Sequence, residues 1–137
     1  MSKPETLYDL CDQVCEHIAE RPLNYYQGWW AKKAKDVPGI DEHPEACGTA
    51  YCRAGWMMAI LENKPQEYTE PWQRSPISVK AHALFNDAGV PEDDVRELFS
   101  GTAVKGMPGT ANYVEDGIHG MREFMAKHED KLRARKL

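Results

Sequence analysis

Residues 46–61 read ACGTAYCRAGWMMAIL. Between Ala50 and Leu61 the only charged residue is Arg53. A helix that is apolar on every side is a buried one, so this stretch predicts a central helix over about residues 50–62. Thr49 is placed to cap it, because a threonine hydroxyl accepts from the free N–H groups of a first turn. Ala54, Gly55 and Ala59 are small and let neighbouring helices approach closely. Gly48 allows a tight entry.

Outward from this centre the chain punctuates itself. Residues 36–48, DVPGIDEHPEACG, are loop by their Pro, Gly and Asp content. Residues 23–35, LNYYQGWWAKKAK, predict a short aromatic helix, weakened by Gly28. A first helix is expected over 4–20, with Leu7, Cys11, Val14 and Ile18 on one stripe, widened by Leu10 and Cys15. Pro4 and Glu5 suit its first turn, and Arg21-Pro22 ends it.

Beyond the centre, residues 63–75 are again loop. Helices follow over about 76–88, stopped by Gly89, and over 91–99, opened by Pro91. Residues 100–110, SGTAVKGMPGT, are a surface connection. They lack the G-K-[ST] of a phosphate-binding Walker loop. A last helix is expected over about 111–134, with Val114, Ile118, Met121, Met125 and Leu132 on one side. No segment alternates as a sustained strand does. The expected fold is all-α: one domain over residues 1–137, a compact bundle of four to six helices packed around the 50–62 helix.

With 137 residues, 42% of them hydrophobic and 28% charged, the chain has an ordinary globular composition. Its formal charge is −5, and the four bases of the terminal KLRARKL (131–137) make the remainder more acidic still. An acidic body argues against broad binding to a phosphate backbone. The basic end complements the negative end of a helix dipole. The longest apolar run, Ala54 to Leu61, is far short of the roughly 20 residues that span a bilayer. No signal peptide is visible, since charges break up the N-terminal apolar residues. The expectation is a cytoplasmic protein with no membrane partner, its four cysteines reduced or metal-bound rather than disulfide-bonded.

The pattern Cys47-Gly48-Thr49, then Cys52, then Ala54-Gly55-Trp56, resembles a motif of small uncharacterised proteins of bacteria and their phages. Those proteins carry an aromatic-rich segment before the motif, here Tyr25 to Trp30, and a Leu-Phe pair after it, here Leu98-Phe99. The resemblance covers about residues 20–100. It implies a helical fold and brings no settled activity.

Four readings compete for the cysteines. Zinc takes Cys and His ligands, and His43, Cys47 and Cys52 lie close in sequence. A fourth ligand would come from Cys11, Cys15, His17, His82 or His119. Nucleophilic catalysis would use Cys52, where a first helical turn favours thiolate, with His82 or His119 as base. A Cys47–Cys52 disulfide would be a redox switch. The plainest reading is packing, because free cysteine behaves as a small hydrophobe.

Arg53 needs a route to water or a partner. The shorter route is for its stem to snorkel to the surface. The alternative is a carboxylate or an anionic ligand clamped by the guanidinium. In a helix, Tyr25/Trp29 and Tyr26/Trp30 form adjacent pairs four residues apart. One pair goes to the core and the other to a partner surface, where Trp and Tyr are the usual anchors.

The function expected from these features is non-enzymatic: an accessory protein of phage or mobile-element type, with no cofactor, that binds a partner protein. Its surface would be Tyr25, Tyr26, Trp29, Trp30 and Trp72, with Arg53 as a further binding residue. A second copy of the chain is one partner to consider. Burial of every one of these aromatics would remove the main support. The alternative is a small-ligand or zinc protein, with a cysteine-dependent catalyst as one form of it, built on Cys47, Cys52, Arg53 and a distant His.

Overall fold

The computed structural model describes residues 2–66, 76–101 and 103–137. Trp72, one of the expected surface aromatics, lies outside these residues. The fold is mainly helical, as expected, with six α-helices among the described residues: α1 (Leu7–Glu20), α2 (Arg53–Glu62), α3 (Pro76–Asp87), α4 (Glu92–Phe99), α5 (Ala111–Lys127) and α6 (Glu129–Ala134). None is long and apolar enough to cross a membrane.

α1 starts at a capping box. Thr6 Oγ1 accepts from the Asp9 N–H at 3.1 Å, and Asp9 Oδ2 accepts from the Thr6 N–H at 3.2 Å. Leu7, Leu10, Cys11, Val14, Cys15 and Ile18 are buried along its inner face, which is the expected stripe. α1 packs against α2, α5 and α6. Next to its start, Thr6 and Lys136 form an antiparallel bridge. The Leu7 N–H donates to the Arg135 carbonyl at 2.9 Å and the Leu137 N–H to the Glu5 carbonyl at 3.0 Å.

α2 is the central helix, and its first half, Arg53 to Met58, is buried. Its second half is only partly buried. It starts later than the sequence suggests. Thr49 does not cap it; the cap is Cys52, whose sulfur accepts from the Gly55 N–H at 3.4 Å. The reason is that Thr49–Tyr51 is committed to a strand.

That strand, β2 (Thr49–Tyr51), pairs antiparallel with β1 (Ala31–Lys33), with Ala31 opposite Tyr51 and Lys33 opposite Thr49. Residue 25 joins on the other side, the Tyr26 N–H donating to the Tyr51 carbonyl at 3.0 Å. The helix expected over 23–35 is therefore absent. Its aromatic residues suit a pleated, half-buried backbone at least as well as a helix. Under the sheet a small apolar cluster gathers Ala34, Val37, Ile40, Ala46 and Ala50.

α3 ends, as expected, at Gly89, whose φ is +80°. α4 opens on Glu92, Asp93 and Asp94, which complement its dipole. The last expected helix is broken in two at His128. The His128 Nε2 lies 2.9 Å from Asp94 Oδ2 of α4, and its ring packs on Phe124 with centroids 4.9 Å apart. The chain turns there, and Leu132 of α6 is fully buried.

Candidate functional site

The interior holds a polar network with Arg53 at its centre. Arg53 is 2% exposed. It does not snorkel, and among the described residues it meets no carboxylate. Its Nη1 donates to the Leu98 carbonyl at 2.8 Å, and Nη2 and Nε donate to the Gly117 carbonyl at 2.8 and 3.3 Å. Leu98 lies in the last turn of α4, where carbonyls lack helical partners. The carbonyls of Leu98 and Gly117 take the place of water or a counter-ion. Arg53 also borders a hollow of about 340 Å³ between α4 and α5.

Gln27 connects this arginine to the irregular segment. Its Oε1 accepts from the Tyr25 hydroxyl at 3.0 Å and from the Arg53 backbone N–H at 3.1 Å. Its own N–H donates to the Tyr113 hydroxyl at 2.8 Å. Burial pushes the Tyr113 phenol up to about 12 and that of Tyr25 further still. Tyr25 is thus a core residue and leaves the expected partner surface.

Three glycines make room for this arrangement. A Cβ on Gly117 would stand 2.5 Å from the Tyr25 ring, and one on Gly120 would stand 2.5 Å from Arg53 Nη2. A Cβ on Gly55 would run into the backbone carbonyl of Trp30.

Tyr26, Trp29 and Trp30 are half-buried and keep part of their surface outside. Trp30 meets the edge of Phe99 at 6.4 Å, and Lys32 Nζ lies 4.0 Å over the Trp29 ring. A shallow hollow of about 180 Å³ opens between Trp29, Trp30, Phe99 and Gly101.

A larger cleft of about 950 Å³ lies between α1 and the second half of α2. Trp56 stands in it between the rings of His17 (5.2 Å) and Tyr51 (5.0 Å), and its indole N–H donates to the Asn24 carbonyl at 3.1 Å. The Asn24 side chain in turn donates to the carbonyls of Cys47 (2.8 Å) and Thr49 (3.1 Å). This ties down the turn at Gly48, whose φ is +74°. His17 Nδ1 lies 2.8 Å from the Gln13 carbonyl. A carbonyl only accepts, so Nδ1 holds the hydrogen and the neutral ring keeps its lone pair on Nε2. Of the candidates named from the sequence, Cys47 and His17 line this cleft, and Trp56 was not among them. The available signal was Trp56 itself, since an indole N–H inside an apolar run requires an acceptor.

The cysteines divide three to one. Cys11, Cys15 and Cys52 are buried, Cys47 is exposed, and all four are free thiols. The three buried thiols pack within the apolar core. Cys52 does sit at a helix N-terminus, but burial outweighs the Gly55 N–H and pushes its thiol up to about 12. That is the opposite of an activated nucleophile. Cys47 lines the large cleft. His43 stands beside Gly109, its Nδ1 3.5 Å from Glu45. The structure does not bring His43, Cys47 and Cys52 together, and among the described residues no three His, Cys, Asp or Glu side chains form a metal-binding group.

Comparison with family models, with curated proteins and with solved structures finds no match to this chain.

Proposed function

We propose that the protein is a non-enzymatic binding protein that takes an acidic segment of a partner protein on the face formed by Tyr26, Trp29 and Trp30. The observation that carries this reading is the pair of half-buried tryptophans, adjacent in sequence, with Lys32 over the Trp29 ring. Tryptophan and tyrosine dominate binding energy where they enter a partner's surface. A lysine against them favours a partner of opposite charge. The expected surface is narrowed by this: Tyr25 and Arg53 belong to the interior. The phage or mobile-element setting proposed rests on the resemblance over about residues 20–100, with its motif at 47–56, and the cytoplasmic location on the composition of the chain.

The test is capture from lysate of the source cell with the wild-type chain and with W29A/W30A, after thermal unfolding has shown both to be folded. The expected result is a protein retained by the wild type, lost with the double variant and weakened by added salt. Equal retention by both chains overturns the reading, as does retention of single-stranded nucleic acid in place of protein. A wild-type chain that captures only itself, through the same tryptophans, replaces the acidic partner with a homo-oligomer.

A further inference from the structure

The cleft between α1 and α2 lies apart from the tryptophan face and has a different chemical character. We propose that it is a binding site for a small molecule with a flat apolar body and one anionic group, a carboxylate or a phosphate. Its volume, about 950 Å³, falls within the range of sites that enclose a small organic ligand. One wall is apolar: the edges of Trp56 and Tyr51, each 5% exposed, beside the half-buried Ala59, Ile60 and Leu61. Trp56 is clamped by Asn24 and flanked by two rings, so that edge is held in place before any ligand arrives. Beside it stand the Gln13 amide, the His17 imidazole and Asn24; the two amides already donate to the carbonyls of Ser2, Cys47 and Thr49, so holding an anion falls to the cations of the lining.

The charge of the lining runs against that of the chain. The protein carries −5 overall, yet Lys3, Arg21 and Lys64 all line this cleft. Among the described residues none of these three pairs with a carboxylate. The acid of the lining, Glu62, is already engaged by Lys80 at 2.8 Å and by the Gln66 amide at 3.0 Å. That engagement holds its carboxyl below the usual range. The cleft therefore presents two cations, Lys3 and Arg21, with no carboxylate partner among the described residues, and a third, Lys64, that also helps hold the Glu62 carboxyl down. An anion is the ligand charge such a lining favours, and the apolar wall favours a flat body.

The experiment uses four naphthalene probes of one shape: 2-naphthoate, 2-naphthyl phosphate, 2-naphthalenemethanol and 2-naphthylmethylamine. Each is titrated into the ¹⁵N-labelled full chain, and amide and indole resonances are followed. The expected result is binding of one or both anions, at least about tenfold tighter than the neutral alcohol, which corresponds to about 1.4 kcal/mol, with the amine weakest. The resonances that shift should be the Trp56 indole N–H and the amides of residues 13–24 and 47–49. Preference between carboxylate and phosphate identifies the anion. Arg21→Ala and Lys64→Ala, both at exposed positions, should weaken the anions while leaving the alcohol unchanged. Lys35→Ala, outside the cleft, should change nothing.

Equal affinity for anion and alcohol overturns the proposal, as do shifts centred on Trp29 and Trp30 or no binding at millimolar probe. The W29A/W30A chain should bind the anions as the wild type does, so this test and that of the partner face fail independently.

Discussion

Arg53 holds the carbonyl of Gly117 with two of its N–H groups, Nη2 at 2.8 Å and Nε at 3.3 Å. A guanidinium can do this because its donors form a planar fork; an ammonium cannot. Arg53→Lys should therefore lose at least one of the charged hydrogen bonds that join α2 to α4 and α5. Hydrogen bonds to charged groups contribute about 1.5–3 kcal/mol each, so the variant should lose about 2–4 kcal/mol. Urea unfolding measures this. A loss below about 0.5 kcal/mol, the range of ordinary surface changes, would mean that Arg53 does not hold α4 and α5 together.

Glycine-to-alanine changes in a helix interior ordinarily stabilise by about 0.5–1 kcal/mol. Gly117 and Gly120 should reverse that sign. The new methyl group would enter the Tyr25 ring in one case and the Arg53 guanidinium in the other. Overpacking of this kind costs about 1–3 kcal/mol. Thermal melts of G117A and G120A should both move down relative to wild type. An upward shift in either would show that the neighbouring side chain yields easily.

These two predictions concern features the sequence hid for different reasons. The inner stripe of α1, the burial of the first half of α2 and the stop at Gly89 were legible, because each is a local pattern of apolar spacing or backbone freedom. The segment over 23–35 was misread. Its aromatic spacing of four is compatible with a helix, and only pairing with residues 49–51, far along the chain, decides for a strand. The same pairing displaced the cap from Thr49 to Cys52. For Arg53 the expected partners were water, a carboxylate or a ligand. Backbone carbonyls from two distant helices carry no sequence signature at all. The large cleft was equally hidden, since Lys3, Arg21, Trp56 and Lys64 meet only in three dimensions.

Thiol labelling should separate one cysteine from three. Cys47 is exposed and should react with iodoacetamide in the native state, while Cys11, Cys15 and Cys52 wait for unfolding. Mass spectrometry counts the adducts, and fast native labelling at Cys52 would contradict its burial. The same burial makes the fold alkali-sensitive. Desolvation raises the Cys15 thiol to about 11 and the Cys52 thiol to about 12, from an ordinary 9.0. A thiol raised in this way contributes stability that is complete below 9, where both states are protonated. That stability falls as pH rises, because the unfolded chain ionises first. Denaturation midpoints should decline from about pH 9 towards 11, and a flat profile would refute the assignment.

Asp94 works in the opposite direction. The hydrogen bond from Lys127, at 3.1 Å, with further help from His128, holds its carboxyl below the usual range. A depressed carboxylate stabilises the fold above its ordinary value, and that contribution disappears as pH falls through the folded value. Asp94→Asn should therefore be less stable than wild type at neutral pH. The gap should start to narrow below about pH 4, near the unfolded carboxylate value, and close below the folded value. Paired melts at pH 7 and pH 3 test this, and a gap as wide at pH 3 as at pH 7 would trace the effect to something other than the charge.

The bridge between Thr6 and Lys136 places Glu5 opposite Leu137 and Leu7 opposite Arg135. Both strands of that bridge leave it at the same end. A pull applied to residues 5 and 137 would load its hydrogen bonds one after another, as a zip is opened, and never all together in shear. Resistance to heat is set by the whole interior; resistance to tension along this axis is set first by two bonds at its edge.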